Sequence, residues 1–305
     1  MRAARKIIAR LHRFSTKPPM KAHVDDAQLR SPWRLVARAY QEKQMIPALY
    51  VAKTGLSAQD TQLTTISNNL ANVSTTGFKR DRAEFQDLLY QIKRQPGAKS
   101  TQDSELPSGL QLGTGVHIVG TQKNFTSGSL QTTGQPLDLA LNGRGFFQVL
   151  QPDGTTGYSR DGTFHLNANG QVVTASGFAL EPAIVVPDNA KTFTVGQDGT
   201  VSITVAGNPA SQVIGNLQTA DFINPAGLQA IGNNLFLETA SSGAPQVGTP
   251  GVNGFGTTLQ STLETSNVST VEEMVNMITT QRAYEMNSKV ISTANQMLGT
   301  LTQKL

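Results

Sequence analysis

Ser159, Asp161 and His165 lie close together and are the residue types of a nucleophile, an orienting acid and a general base. A working triad is normally assembled from distant segments. These three instead flank an expected hairpin turn at Asp161-Gly162, where Ser and Asp side chains serve backbone hydrogen bonds. Catalysis is therefore not expected there, and no other acid, base or nucleophile pair stands out. Gly143-Arg144-Gly145 lacks the third glycine and the strand-to-helix context of a dinucleotide fingerprint, and no Gly-Lys-Ser/Thr phosphate loop exists. His12, His23, His117 and His165 are scattered without metal-ligand spacing, and no acidic run has calcium-loop spacing. No cysteine is present, which removes disulfides, thiolate ligands and thiol catalysis. No cofactor, metal or catalytic residue is expected. Asn72, Asn124 and Asn267 fit the glycosylation triplet, for which chance is the better account.

Charge narrows the classes further. The chain carries +4 overall, but residues 1–44 hold 11 Lys/Arg against 3 Asp/Glu, leaving 14 against 18 for residues 45–305. The bulk of the chain would repel phosphate, so nucleic-acid binding is not expected. No apolar run approaches the roughly 18 residues needed to cross a membrane. The hydrophobic content of 38% is low for one compact enzyme.

The elements that could organise such a chain lie at its ends. Ser269 with Glu272 is a capping-box start signal, and no proline follows Pro250. Beyond it Met277, Tyr284, Ile291, Leu298 and Leu305 recur every seven residues, with Met274, Ala294 and Leu301 beside them. A helix over 267–305 would be roughly 55 to 60 Å long, too long to lie buried along a small core. Leu49, Leu56, Leu63 and Leu70 are also spaced by seven. Ala52, Gln59, Ile66 and Val73 sit three after each, the arrangement of a coiled-coil seam. Pro47 fits the first turn of that helix. The two ends are expected to pair, with the middle folded as an insertion; two ordinary amphipathic helices on a globular core are the alternative. Gln59 and Asn72 could set register in the seam or face solvent.

Residues 66–80 run from helix into turn, with Gly77 able to take the left-handed conformation that ends a helix. Here Asn69-Leu70-Ala71-Asn72 followed by Thr76-Gly77-Phe78-Lys79 resembles the N-terminal signature of the axial proteins of the bacterial flagellum, the rod and hook subunits. Asn267-Val268, Glu272, Met274, Thr280-Gln281-Arg282-Ala283-Tyr284 and Asn287 resemble that family's C-terminal helix signature. Residues 85–97 and 106–116 are similar to the distal-rod branch of the family. On its own terms, 95–115 is a Gly/Pro/Ser-rich loop or arm. The resemblance implies an arm that packs between neighbouring subunits and keeps a tube straight.

From Val116 to about Gly256, short β-runs alternate with turns. Residues 137–141, 145–150, 171–174 and 201–205 read as strands, punctuated by Asp153-Gly154, Asp161-Gly162, Asn169-Gly170, Gly177 and Asp198-Gly199. Residues 141–147 with 158–164 resemble the family's first β domain. The expected fold is α+β: long terminal helices pairing as a coiled coil, an inserted all-β domain and an extended Gly/Pro-rich arm. Its divisions are a basic extension at 1–44, an N-terminal helix at 45–80, an arm and linker at 81–120, a β-rich domain at 121–262 and a C-terminal helix at 263–305. Within 1–44, Met1–Phe14 resembles a basic amphipathic surface helix and Lys17–Asp26 an unstructured link; Met45 is expected to be the working N-terminus.

The resemblance implies a structural subunit of the basal body where the rod crosses the periplasm, exported through the flagellum's own channel. Its implied partners are copies of itself, other rod and hook-junction proteins and the surrounding rings. The interface residues expected are Leu49, Leu56, Leu63, Ile66, Leu70, Val73, Met274, Met277, Tyr284, Ile291, Leu298 and Leu301. A hook or proximal rod subunit, or a secreted β-domain protein with a coiled-coil stalk, remain the alternatives.

Overall fold

A computed structural model of the chain describes residues 31–97, 99 and 107–303, with backbone alone for 31–46, 208–209 and 301–303. The readings made for Met1–Phe14, Lys17–Asp26, Leu305, the Leu301 side chain and the middle of the arm lie outside the described residues. The architecture is α+β. Two long helices, α1 (Ser31–Ala71) and α2 (Thr270–Gln303), enclose a series of short strands in the sequence. α1 does not begin at Pro47. Its backbone is helical from Ser31, which puts Pro47 in the interior, where the ring removes one i to i−4 hydrogen bond. Good helix formers on both sides, among them Arg38, Gln41, Glu42, Lys43 and Ala48, carry the helix through it.

The helices lie side by side and antiparallel. Glu273, in the first turn of α2, lines the same cleft as Asn69 near the end of α1. Fourteen residues further along each helix, Asn287 stands against Gly55, whose missing Cβ would lie 3.1 Å from Asn287 Nδ2. Equal steps on both helices mean one continuous register. The side chains best buried along α1 are small or polar as well as apolar: Ala52, Ala58, Thr65, Ile66 and Asn69.

A two-stranded antiparallel ribbon runs beside α1, built from β1 (Asp81–Asp87) and β4 (Val116–Lys123). Asn69 holds its near end by exchanging two hydrogen bonds of 2.9 Å with the Asp81 backbone. Thr54 Oγ1 meets the Val116 N–H at its far end. The helix rises roughly 22 Å between those two residues, and seven strand residues span about 20 Å. Helix and ribbon are thus matched in length. Beyond the ribbon, β2 (Tyr90–Arg94) and β3 (Leu110–Gly113) form a second antiparallel pair with every residue exposed.

The body is built on the strand Phe146–Leu150. One edge pairs with Thr156–Ser159, and the other is shared between Ala179–Glu181 and Thr219–Asp221, within a nine-stranded sheet. Successive side chains of a strand point to opposite faces, so Phe146 and Phe147 enter two different cores. Phe147 packs with Leu139, Phe164, Val201 and Leu217, edge-on to Phe164 at 5.3 Å between centroids. Phe146 packs with Tyr158, Phe222, Leu228 and Phe236. The Tyr158 hydroxyl, buried in this cluster and facing Glu238 and Glu181, has its pKa raised to about 12.

One expected turn is something else. The strands on either side of Asp161-Gly162 do not pair with each other, so no hairpin closes there. A Cβ on Gly162 would lie 1.6 Å from the Leu139 carbonyl oxygen. The glycine is there for a crossing of two backbones. Asp161 Oδ1 accepts from the N–H and hydroxyl of Thr163, and its Oδ2 accepts from Asn234 Nδ2. Asp153-Gly154, Asn169-Gly170 and Asp198-Gly199 do turn, each with its glycine at positive φ.

Candidate functional site

The residues that could have made a triad are spoken for. Ser159 is buried, donates its hydroxyl to the Asn234 carbonyl and accepts from the Asp161 N–H, while His165 is exposed on its strand. Among the described residues no three His, Asp or Glu side chains gather as a metal site, and no helix is long and apolar enough to cross a membrane.

The expected interface residues are spread over the helix surfaces. Ile66 is buried; Leu49, Leu56, Leu63, Leu70, Val73, Met277, Ile291 and Leu298 are half-buried. Met274 and Tyr284 are exposed, at 52% and 40%. A further apolar set, Val271, Val275, Ile278, Met286 and Val290, is also exposed along α2. Seven-residue spacing identified one stripe and missed these.

What the structure concentrates in one place is charge, at the neck where both helices join the body. Glu264 is 1% exposed and accepts three hydrogen bonds: from Lys79 Nζ at 2.6 Å, from the Gly128 N–H at 2.8 Å and from Arg160 Nη1 at 3.2 Å. Lys79 and Arg160 are themselves buried, and burial pushes the pKa of each down against the opposing pull of Glu264. Both also donate to backbone oxygens, while Arg160 Nε is buried without a hydrogen-bond partner. Lys79 donates to Thr126, and Arg160 to Gly143 and Leu141. The Arg160 guanidinium also lies 5.4 Å from the Phe146 ring centroid, a cation–π contact.

Around this cluster the two chain crossings are stitched together. The Gly77 N–H donates to the Glu264 carbonyl, the Arg80 N–H to Asn267 Oδ1, and Asn267 Nδ2 to the Asn124 carbonyl. Gly77 has φ +68°, and a Cβ there would fall 2.6 Å from the Arg160 carbonyl carbon. It serves close docking on the body as well as the turn after α1. The capping box at α2 is half formed: Ser269 Oγ accepts from the Glu272 N–H at 3.4 Å, but the Glu272 carboxylate turns to Arg80 Nη1 at 2.8 Å. An ion pair across the neck has displaced the local bond. Behind it, a cleft of about 310 Å³ is lined by Gln62, Asn69, Arg80, Glu273 and Asn276.

Residues 49–79 match the family described as "Flagella basal body rod protein", residues 140–203 "Flagellar hook protein FlgE/F/G D1 domain", and residues 259–304 "Flagellar basal body rod FlgEFG protein C-terminal". The "Flagellar basal-body rod protein FlgG" of Buchnera aphidicola subsp. Schizaphis graminum is 53% identical over 259 residues, covering 85% of this chain and 100% of that protein. The chain belongs to the flagellar basal-body rod protein family. Proteins of the same name from Caulobacter vibrioides (48% identical, covering 84% of this chain and 98% of that protein) and Bacillus subtilis (36%, 83% and 97%) are similar along the same stretch. In this rod-family chain, Lys79, Arg160 and Glu264 fall one in each of the three matched segments. Of the cluster, Lys79 and Arg160 lie within stretches that resemble family signatures, at 76–79 and 158–164. Glu264 gives no signal, because charges that look exposed one at a time neutralise each other only when the fold closes separations of 185 residues to Lys79 and 104 to Arg160.

The cluster holds two cations and one anion, so its members are not equivalent. Glu264→Gln leaves two buried cations facing each other and should cost about 3–5 kcal/mol. Lys79→Met leaves the Arg160–Glu264 pair intact and should cost less, about 1–3 kcal/mol for the lost hydrogen bonds. Denaturant unfolding of both variants checks the order, which equal losses would contradict.

Burial raises the pKa of Glu273, more than Asn69 and Arg80 lower it. A carboxylate whose folded-state pKa lies above its unfolded value binds more protons folded, so stability falls as pH rises through that window. Glu273→Gln removes this loss. The melting temperature of the variant minus that of the parent should therefore be larger at pH 7 than at pH 4, by roughly 2–4 °C for each kcal/mol; an equal or smaller difference at pH 7 would refute it.

Proposed function

We propose that the chain is a structural subunit of the flagellar basal body that polymerises into the hollow distal rod, the drive shaft joining the proximal rod to the hook. One observation carries the reading: the similarity to rod proteins spans those relatives end to end, helices and body together, with 53% identity in one case. Family membership makes the role structural rather than enzymatic. The working location is the basal body, where the rod crosses the periplasm. Copies of this chain, neighbouring rod and hook-junction proteins and the enclosing rings are its partners.

In this reading α1 and α2 pair as a coiled coil on the inner wall, and the β-rich domain of residues 121–262 stands outside them. The divisions at 45–80, 81–120 and 263–305 are the helices and the linker between layers. Leu49, Leu56, Leu63, Ile66, Leu70, Val73, Met274, Met277, Tyr284, Ile291, Leu298 and Leu301 then pack within the pair and against neighbouring subunits. The exposure of Met274 and Tyr284 supports this, since apolar side chains left open by the single chain are available to a second one. The arm is the β2–β3 ribbon and the residues it carries. Its exposed Leu89, Tyr90, Ile92, Leu110 and Leu112 support a role in bridging subunits.

Negative-stain microscopy of the concentrated full chain, beside a form starting at Met45, tests the assembly. Straight hollow tubes are expected. Closed dimers or trimers from both forms would favour a stalked secreted module instead.

Removing residues 96–109 tests the arm. Rods should become short or curved in cells carrying only that variant, and straight rods of full length would end the bridging role.

A further inference from the structure

The Lys79–Glu264–Arg160 cluster belongs to neither helix. Lys79 stands eight residues past the end of α1 and Glu264 six before the start of α2. All three donors to Glu264, from Lys79, Gly128 and Arg160, come from outside the helices. The bonds that stitch the crossings, Gly77 to Glu264, Arg80 to Asn267 and Asn267 to Asn124, likewise use no atom of α1 or α2. The Asn69–Asp81 exchange and the ion pairs from Arg80 to Glu272 and Glu273 tie the neck to the helices.

We propose that the neck folds with the body and stays folded when the helices do not. It presents both helix roots side by side, so that α1 and α2 zip together outward from Asn69 and Glu273 in a single register. A long helix whose apolar side lacks a partner is marginal, whereas a buried cluster whose carboxylate accepts three hydrogen bonds opens only with the structure around it. Holding the roots together makes the pairing intramolecular and local, which raises the effective concentration of one helix at the other. The register then follows from the first contact, because equal 14-residue steps on each helix lead from Asn69 and Glu273, which line one cleft, to Gly55 and Asn287. This concerns the single chain and holds whatever the helices later pack against, so its failure would leave the rod reading untouched.

Residue-resolved hydrogen exchange on the dilute full chain tests it, with Ala58→Pro to break α1 in its last third. In that variant the amides of 54–64 and 276–290 should lose protection, while those of Gly77, Arg80 and Gly128 stay within about twofold of the parent and close to the strand Phe146–Leu150. Neck amides that speed up with the helices would overturn the proposal. Glu264→Gln should act on the shared unit, speeding the neck amides by more than about tenfold and those of Phe146–Leu150 with them. Unchanged neck exchange in that variant would also overturn it. If Glu264→Gln fails to fold, Lys79→Met is read in its place, with faster neck exchange expected and parental exchange counting against the proposal.

Discussion

A carboxylate cannot be taken out of water alone, and the burial of Glu264 is the constraint on which the rest of the structure depends. Its partners arrive from three separate segments, so the anion is satisfied only when the turn after α1, the loop after β4 and the body are all in place. The Lys79–Glu264 contact alone closes a separation of 185 residues, an entropic cost of about 4–5 kcal/mol. One ion pair would not offset that cost together with the desolvation of both ions. The offset comes from the surrounding bonds at Gly77, Arg80, Asn267 and Gly128, each worth about 0.5–1.5 kcal/mol net. The neck is therefore cooperative, and its charges give geometry more than stability.

That geometry decides what the helices can do. Near the neck the buried side chains of the two helices are Thr65, Ile66, Asn69, Glu273 and Thr280, and further out along α1 they are small, Ala52 and Ala58, with Gly55 against Asn287. Small residues let two helices approach closely but bury little apolar area. The larger side chains at Val271, Met274, Val275, Ile278 and Met286 face away from the interior. A single subunit thus leaves much of its apolar helix surface unburied, at roughly 25 cal/mol per Å² of forgone stabilisation. A second copy can recover that energy where water cannot.

Much of this architecture was legible in the sequence, and the gaps have physical causes. Two long helices follow from heptad spacing, and strands such as Phe146–Leu150 follow from β-rich runs between turn residues. Spacing alone misjudged Pro47, because a favourable context on both sides carries a helix through one missing hydrogen bond. It also took Asp161-Gly162 for a hairpin turn. Local chemistry there is that of a turn, but the glycine is demanded by Leu139, which approaches from another segment. Ser269 and Glu272 fit a capping box until Arg80 offers the carboxylate a stronger partner. The last two lie where a distant residue displaces a near one as partner, and the neck is where such displacements are densest.

The same features explain why a chain like this can build a filament without forming closed dimers. A twofold interface requires one patch to complement itself. Here the exposed apolar groups differ in kind: one set lies along α2 and the other on the β2–β3 pair, beyond the far end of the β1–β4 ribbon. Unlike patches are best satisfied head to tail, by contacts that repeat along a screw axis and do not close. Such repetition accumulates any error in the angle between the helix pair and the body from one subunit to the next. A straight shaft therefore needs that angle fixed inside each subunit, and the buried neck, with Glu264 held from three directions, is the part of this chain able to fix it.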